Sequence, residues 1–596
     1  MMAWLYRARD SYHRTPIGDP AYNKPSLAAA ALAVVLGVTA CTTPQPAPAP
    51  TATASPSPDK SSPAASATSI PSERKKTTTA AQPPAAAPPK RAAAKGTAPL
   101  GWGPQQRDQD AAAAAVARMT VSQKAGQVLL PFFSGLNHEA QAATIEQLHL
   151  GGSIIMGDNV PIGADGLVNV GAMTAMTRRL GEASRSGGRT WPGMIAVDQE
   201  GGMVSRLGAP LTPWPSPMSY GAAGSVPLAT EAGKGLAGEL AALGFTVDFA
   251  PTADMTIGPG DPTIGVRSMS ADPKAAGNLS IRFSRGMLSA GVLSSVKHFP
   301  GHGSVSVDSH KDMPVQPATV PQLKARDWKP FQAAVAAGTP MIMMGHIAVP
   351  ALEPGVPASL SKASYAALRG MGFKGVAVTD ALNMNAVTAR YRGGAAAPAA
   401  LAAGADLLLM PADVYAAHAA IVDAVASGTL PASRLDEAAR RVVTMMVWRA
   451  RTAPRNHVAP PGSMAGTSAK VSARAVTVLS GPCRGPLVPG SVRLAGGTAA
   501  DQAHFAAAAR EAGITLGSGP LVTLIGYGGA PAGGDIAVAL DAPWPLAGSA
   551  APTKVALYGR TPGAFKALLA VLAGKATAPG KLPAAVGPYR QGTGCR

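Results

Sequence analysis

The stretch GVLSSVKHFPGHGSVSVDSH, residues 291–310, contains the pattern that decides the fold. A short apolar run, Val292–Val296, ends directly in the polar pair Lys297 and His298, and a loop broken by Pro and Gly follows. An apolar run of this length between turn residues is typical of a buried strand. The stretch therefore predicts a buried strand whose carboxyl end opens into a polar loop.

Seven further apolar runs resemble this one, and Ala-rich helical stretches such as Ala229–Leu243 and Ala396–Ala403 lie between them. The eight runs are Leu129–Phe133, Ser153–Met156, Met194–Val197, Thr246–Ala250, Val292–Val296, Met341–Met344, Val376–Thr379 and Asp406–Met410. This alternation predicts an α/β fold, namely a (β/α)8 TIM barrel over residues 106–451. A doubly wound open sheet would alternate in the same way, and the number of runs favours the barrel.

Polar side chains stand at the ends of five of these runs. They are Asp198, Asp254, Lys297 with His298, His346 and Asp380. In a (β/α)8 barrel the carboxyl ends of all strands open onto one mouth, where the active site is built. We therefore expect these side chains to line a common pocket.

Four further segments flank the predicted barrel. Residues 1–40 have the features of an export signal, and residues 41–105 are a Pro/Ala/Ser/Thr-rich tether whose composition cannot bury enough apolar surface to fold. Residues 452–470 are predicted to be a linker, and residues 471–596 a smaller α/β sandwich domain. Its predicted strands are Ala475–Leu479, Leu521–Gly526, Ile536–Leu540 and Lys554–Leu557. That last domain has only four acidic residues, so paired catalytic carboxylates are not expected there.

The export signal ends in a motif for lipid attachment. The apolar run at residues 27–40 is too short to span a membrane comfortably, and it ends in Val38-Thr39-Ala40-Cys41, which resembles the bacterial lipobox. Cys41 is therefore predicted to be lipidated and to anchor the protein to the outer face of the cell membrane; an ordinary signal peptide of a secreted protein is the alternative. In an oxidising compartment the two remaining cysteines, Cys483 and Cys595, are predicted to form a disulfide.

The positive charge of the chain is concentrated at its two ends. The formal net charge is +19, and residues 1–105 and 471–596 each carry 11 Lys and Arg against 4 Asp and Glu. No basic stripe with interleaved aromatic residues is present, which argues against a nucleic-acid partner. Attraction to an anionic wall or membrane surface fits this distribution, and solubility alone is the alternative.

The loop after Val292–Val296 brings several chemically active side chains together, and three interpretations stay open. Asp308 stands two residues before His310 and can orient its imidazole, which makes an acid/base dyad. His298, His302, Asp308 and His310 together would suit a metal site. The third interpretation is a structural loop without a chemical role.

Asp380 follows the apolar run Val376–Thr379 and is well placed as a nucleophile. Glycoside hydrolysis needs one group at the anomeric carbon and another that protonates the leaving oxygen, and Asp380 and His310 could divide these roles. The alternative is that Asp380 caps a helix beginning at Ala381. Asp198, Arg206 and Arg267 lie on other loops and could hold sugar hydroxyl groups. An ordinary surface loop is the alternative for each of these segments taken alone.

These motifs together resemble glycoside hydrolase family 3, and most closely its bacterial β-N-acetylglucosaminidases, in a two-domain lipoprotein form. The resemblance spans residues 108–590. It rests on RMTVSQKAGQVLL, LGGSIIMGDN, VDQEGGMVSRL, DPTIGVRS, KHFPGHG, DSH, VAVTDALNM and AGADLLLMP, and in the last domain on SARAVTVLS and ALYGRTPGAFKALLAVLAGKATAPGKLP.

The resemblance implies a role for each candidate residue. Asp380 would be the nucleophile, and His310, paired with Asp308, would be the general acid/base. His302 is predicted to be a structural turn residue. The residues that would hold the terminal sugar are Asp198, Arg206, Arg267, Lys297 and His298.

The implied activity is a retaining exo-β-N-acetylglucosaminidase that acts on muropeptides or chitooligosaccharides by double displacement. No metal or organic cofactor is expected, and the protein is expected to be a monomer. The alternatives are a β-glucosidase-type hydrolase of the same family, a phosphorolytic variant, a non-catalytic glycan-binding lipoprotein, and a metal-dependent hydrolase at the His cluster.

Overall fold

The computed structural model of the chain describes residues 96–454 and 459–595. The predicted signal at 1–40, Cys41 and residues 41–95 of the predicted tether lie outside the described residues. Residues 96–105, which were also assigned to the tether, pack on the barrel instead: Pro99 bridges to Gln105, Trp102 is buried, and Gly103 lies against the Trp448 ring. A buried Trp supplies the apolar surface that the Pro/Ala-rich part of the tether lacks.

Each of the eight predicted runs overlaps a strand, and the strand predicted to end at Val296 continues through Lys297 and His298 to Phe299. The strands are β1 (Leu129–Leu130), β2 (Gly152–Ile154), β3 (Met194–Val197), β4 (Val247–Asp248), β5 (Leu293–Phe299), β6 (Met341–Met344), β7 (Val376–Thr379) and β8 (Leu408–Leu409). Parallel ladders join the strands in order from β2 to β7, and β8 pairs with β1.

Single contacts close the ring at the two remaining positions. Val378 of β7 forms a parallel bridge with Leu407, and the backbone N–H of Ile154 donates to the carbonyl of Pro131, 3.0 Å away, between β2 and β1. The strands thus form one parallel ring, and the prediction of a (β/α)8 barrel is confirmed.

Two helices precede β1, at least one helix follows each strand, and together the helices cover the outside of the ring. They are Gln106–Ala117, Val121–Gln127, His138–Leu148, Val170–Ala183, Met218–Ala223, Val226–Ala242, Pro273–Ser289, Val320–Ala325, Lys329–Ala336, Lys362–Gly370, Asn385–Thr388, Ala396–Ala403, Val414–Ala426 and Ala432–Thr452. The helix Pro273–Ser289 shows how the sequence encodes them. The Asp272 carboxylate accepts the N–H of Ala275 as an N-cap, Pro273 occupies the first turn, and Leu279 and Phe283 are buried on the inner face.

The last domain is built on one five-stranded sheet. In chain order its strands are β9 (Thr477–Ser480), β10 (Ser491–Gly496), β11 (Thr515–Ile525), β12 (Ile536–Ala539) and β13 (Thr553–Ala556). They lie side by side as β9-β13-β12-β11-β10, parallel except for β9. Four of these strands agree with the predicted ones, whereas β10 was not predicted because this edge strand lacks a continuous apolar run. The helices of this domain are Ala465–Ala475, Ala499–Ala512 and Pro562–Leu572, and the first of them begins inside the predicted linker.

The two faces of this sheet have different partners. Residues alternate along a strand, so Val538 packs towards the helices, with Phe505 and Phe565, whereas Ala537 and Ala539 face the opposite way. The second face forms a cluster with barrel residues that include Val266. The small alanines let the sheet approach closely, so the last domain rests on the barrel segment that carries Arg267.

The C-terminal tail is hydrogen-bonded to the barrel segment that follows Arg267. The carbonyl of Pro583 accepts hydrogen bonds from the backbone N–H of Ala271 at 3.0 Å and from Ser270 Oγ at 3.1 Å. Cys483 and Cys595 are joined by a disulfide, which holds the end of the tail to the domain. Across the described parts of the chain, 96–454 and 459–595, no helix is long and apolar enough to span a membrane.

Candidate active site

A compact network of charged side chains lies at the mouth of the barrel, behind the ends of β3 and β5. The Lys297 ammonium is 2.8 Å from Oδ1 of Asp198 and 2.8 Å from Oε1 of Glu200. Arg267 donates two hydrogen bonds to Glu200, from Nε at 2.9 Å and from Nη2 at 2.8 Å. Arg206 is more loosely attached, with Nη2 3.9 Å from Asp198 Oδ2. The structure thus brings together four of the predicted sugar-binding residues, and Glu200 joins them.

Mutual stabilisation keeps this network ionised although it is buried. Burial by itself would raise the pKa of Glu200, but Arg267 and Lys297 hold that pKa well below its usual range. Burial would likewise lower the pKa of Lys297, and the carboxylates of Asp198 and Glu200 raise it instead. Asp198 remains partly exposed, so this ion-paired network presents a carboxylate to a ligand. Such an arrangement suits the hydroxyl pairs of a sugar.

Glu200 was not among the predicted site residues. It lies in the motif VDQEGGMVSRL two residues after Asp198, but its partner Arg267 comes from the segment after β4 and its partner Lys297 from β5. The motif marked the segment, whereas only the fold shows which carboxylate the two cations share.

His298 is held in one orientation by a buried carboxylate. Its Nδ1 donates to Asp254 Oδ2 at 2.7 Å, and its backbone N–H donates to the same oxygen at 3.0 Å. The other oxygen of Asp254 accepts the backbone N–H of His302 at 2.7 Å. Asp254, predicted only as a polar residue at a strand end, therefore orients the imidazole of His298 and leaves its Nε2 for other contacts.

Asp380 lies at the carboxyl end of β7 as an ionised, partly buried carboxylate. Its backbone N–H donates to the carbonyl of Met344, and its Oδ1 accepts the N–H of Ala381 at 2.8 Å. Burial would raise the pKa of Asp380, but the imidazole of His298 and the Ala381 N–H keep it well below its usual value. A carboxylate that stays ionised can act as a nucleophile.

The alternative of a helix cap at Asp380 is wrong. The next helix is Asn385–Thr388, and Met384 is its N-cap residue. The loop between Asp380 and that helix is instead held by His346, whose Nε2 donates to the carbonyl of Ala381 at 2.8 Å while Nδ1 accepts from Ser359 Oγ at 2.6 Å. Burial lowers the pKa of His346, in agreement with a neutral ring that has these two different nitrogens.

Asp308 and His310 form a local pair on the loop after β5. His310 Nδ1 lies 2.8 Å from Asp308 Oδ1, which also accepts the backbone N–H of His310 at 3.0 Å. The His310 side chain is 56% exposed, so its Nε2 is open to a ligand at the mouth. The neighbouring carbonyl of Lys311 accepts a hydrogen bond from Asn385 Nδ2 at 2.6 Å, which ties this loop to the one that follows Asp380.

The arrangement favours the dyad over the metal site among the open interpretations of this loop. Nδ1 of His298 is hydrogen-bonded to Asp254, and Nε2 of His302 is hydrogen-bonded to Ser309. These nitrogens therefore do not point with His310 towards a shared metal position. Within residues 96–454 and 459–595, no group of three or more His, Cys, Asp and Glu side chains has the geometry to hold a metal ion. The site offers the carboxylate of Asp380, the imidazole of His310 with its partner Asp308, and the ion-paired network around Lys297.

Comparison with known proteins places this arrangement in a family. The model of the glycosyl hydrolase family 3 N-terminal domain matches residues 120–445. Beta-hexosaminidase LpqI of Mycobacterium tuberculosis is 34% identical over 322 residues, which cover 52% of this chain and 79% of that protein. Beta-hexosaminidase A of Pseudoalteromonas piscicida is 34% identical over 286 residues, 45% of this chain and 46% of that protein, so this chain spans about half the length of that relative.

A solved structure agrees with both the barrel and the last domain. The glycoside hydrolase family 3 β-N-acetylglucosaminidase of Paenibacillus sp. str. FPU-7 superposes with a TM-score of 0.70 at 28% identity. The match covers 78% of this chain and 99% of that one. The family model spans more than half of the chain. The chain belongs to glycosyl hydrolase family 3.

Proposed function

We propose that the chain is a retaining exo-β-N-acetylglucosaminidase. The observation that carries the proposal is the pair formed by an ionised Asp380 at the end of β7 and the exposed His310–Asp308 dyad on a loop tied to the segment after Asp380. One group suits attack on an anomeric carbon and the other suits proton transfer, which are the two roles that glycoside hydrolysis requires.

The first half of the reaction forms a glycosyl-enzyme. A carboxylate oxygen of Asp380 bonds to the anomeric carbon while the bond from that carbon to the leaving oxygen breaks. His310 Nε2 gives its proton to the leaving oxygen, and Asp308 stabilises the imidazolium beforehand through Nδ1. The ion-paired network that includes Asp198 and Lys297 would hold the hydroxyl groups of the terminal sugar.

The second half returns the enzyme to its starting state. Neutral His310 takes a proton from a water molecule, the water oxygen bonds to the anomeric carbon, and the ester bond to Asp380 breaks. Two inversions leave the anomeric configuration retained. Phosphate in place of water would give a sugar 1-phosphate, and a neutral imidazole repels that anion less than a carboxylate would.

The names of the relatives support the choice of sugar. Two of them are called beta-hexosaminidases and a structural neighbour is called a β-N-acetylglucosaminidase. Terminal N-acetylglucosamine on muropeptides or chitooligosaccharides is therefore the proposed substrate. The motif at Cys41 supports anchoring at the outer face of the membrane, near such glycans. A purely glycan-binding lipoprotein is disfavoured because both chemical groups are present.

Turnover of 4-nitrophenyl N-acetyl-β-D-glucosaminide tests the proposal. Wild type should release nitrophenol, whereas Asp380→Ala and His310→Ala should lose at least about 100-fold in kcat/KM, the usual contribution of such groups. His504→Ala, in the last domain, is the matched control and should keep wild-type rates. Cleavage of the β-glucoside but not of the N-acetylglucosaminide would assign the chain to the β-glucosidase type instead.

Two further assays separate the remaining alternatives. Activity that survives exhaustive EDTA treatment would exclude the metal-dependent hydrolase. Product analysis in phosphate buffer distinguishes hydrolysis from phosphorolysis, because only the latter yields N-acetylglucosamine 1-phosphate.

A further inference from the structure

His302 lies in the same loop as the dyad but has no part in the mechanism above. The structure buries it almost completely and places its Nε2 2.8 Å from Oγ of Ser309. Ser309 is the residue between Asp308 and His310, and it is buried as deeply as His302. The prediction that His302 is only a turn residue therefore leaves out a direct contact with the middle of the dyad.

The backbone at His302 and Gly303 is held by close contacts. Its backbone N–H donates to Asp254, the carboxylate that also orients His298. At the next position, Gly303, an added Cβ would lie 1.5 Å from the carbonyl oxygen of Met255, so only glycine allows this approach. The carbonyl of Gly303 in turn accepts the N–H of Ile257 at 3.0 Å. These contacts attach the turn to the loop that follows β4.

The dyad itself lies at the surface. Its hydrogen bonds between Asp308 and His310 span only two residues, so they set the orientation of the ring but not the place of the loop. The contact between His302 and Ser309 links the loop to the buried turn, and the bond from Asn385 to Lys311 links it to the segment after Asp380. Of these two links, the first is buried.

We propose that His302 is a positioning residue of the reaction: its imidazole anchors Ser309 and thereby sets the place from which His310 transfers its proton. This inference rests on the proposed function. His302 acts through geometry rather than charge. Burial, helped by the neighbouring His298 ring, lowers its pKa to about 4, so the ring is neutral at neutral pH. Its Nδ1 has no hydrogen-bond partner among the described residues, so within them the bond to Ser309 is the hydrogen bond that the ring makes.

The test compares substrates that differ in their need for a proton on the leaving oxygen. A phenyl N-acetyl-β-D-glucosaminide needs acid assistance, whereas the 2,4-dinitrophenyl glycoside has a leaving group that departs largely without it. His302→Phe keeps a planar aromatic ring, although a somewhat larger one, and removes the bond to Ser309. We expect kcat/KM for the phenyl glycoside to fall about 100-fold and that for the dinitrophenyl glycoside to fall less than about fivefold.

Companion variants separate positioning from general damage. His302→Gln restores a donor near the position of Nε2 and should recover most of the activity on the phenyl glycoside. Ser309→Ala should reproduce the leaving-group dependence, and the double variant should be no worse than either single one, because both remove the same contact. His418→Phe removes another buried histidine, one that contacts Ser122 on the far side of the barrel wall, and should leave the ratio of the two substrates unchanged.

The outcomes distinguish the two proposals. An equal fall for both substrates, or additive losses in the double variant, would overturn the role of His302 while wild-type activity upholds the proposed function. A wild type that cleaves neither glycoside would overturn the proposed function itself. If His302→Phe fails to fold by circular dichroism, His302→Gln and Ser309→Ala carry the same comparison.

Discussion

Glu200 and Arg267 form a buried bidentate ion pair, with Nε and Nη2 of the guanidinium 2.9 and 2.8 Å from the two carboxylate oxygens. The Glu200 side chain has no exposed surface, and Lys297 adds a second cation to it. The pair links the loop after β3 to the loop after β4, and both loops carry predicted sugar-binding residues. Removal of either charge should therefore affect stability and binding together.

Glu200→Gln should destabilise the fold by about 3–5 kcal/mol, because it leaves two buried cations with too little compensating charge. Chemical denaturation of wild type and variant measures this difference. Glu182→Gln, which breaks an exposed pair with Arg178, is the control and should leave the unfolding free energy unchanged within error. A loss as small as that of the control would show that the Glu200 charge is not needed.

Asp248→Asn should stabilise the protein at neutral pH. Burial raises the pKa of Asp248 well above its usual value of 3.8, against the lowering effect of the Gln199 N–H and Lys297, and one of its carboxylate oxygens has no partner among the described residues. The unfolded chain releases this proton as the pH rises past 3.8, while the folded chain keeps it, so wild type loses stability over that range.

The amide in Asp248→Asn cannot ionise and escapes this loss. The variant should exceed wild type at pH 7 by more than about 1.4 kcal/mol, the free energy of one pKa unit, and the gain should vanish below pH 3.8. Denaturation curves at pH 7 and pH 3 measure both values. A gain that is the same at the two pH values would contradict the protonation argument.

Loss of the disulfide should weaken substrate binding as well as stability. Cys483 and Cys595 are 112 residues apart, and the tail between Pro583 and Cys595 holds the segment that follows Arg267. The double variant Cys483→Ser/Cys595→Ser should lose about 2–4 kcal/mol of stability and show a raised KM with kcat less affected. Dithiothreitol should impose the same change on wild type and none on the variant. An unchanged KM would mean that the tail does not support the sugar pocket.

His346→Phe should lower kcat by about 10–100-fold with little change in KM. The neutral ring of His346 holds the carbonyl of Ala381, next to the proposed nucleophile, so its loss should let Asp380 move relative to the anomeric carbon. Steady-state kinetics on the nitrophenyl substrate measure the effect. Trapping of the glycosyl-enzyme with a fluorinated substrate should slow in parallel, and trapping at the wild-type rate would contradict a role in positioning Asp380.

Local patterns in the sequence predicted much of this protein. Short apolar runs between turn residues predict all eight barrel strands. A strand that is buried on both faces has apolar residues at consecutive positions, which makes it visible in the sequence. The dyad is equally local, since Asp308 and His310 are two residues apart and contact each other directly. The position of Asp380 at a strand end follows from the same run-and-loop pattern.

What the sequence could not determine depends on partners distant in the chain. Glu200 meets Arg267 across 67 residues, and His346 meets Ala381 across 35, so neither contact leaves a local signal. The strand β10 was missed because an edge strand lacks the continuous apolar run on which the prediction relied.

The sequence by itself determined the barrel, the family and the residues expected to carry out the chemistry, because each depends on side chains close together along the chain. Only the tertiary structure decided which groups hold those residues in place. Asp254 orients His298, and the tail at Pro583 supports the segment that follows Arg267, and both contacts join residues that are far apart in the chain. The reason is physical: burial periodicity is recorded along the chain, whereas hydrogen-bond partners are chosen by distances in the folded protein.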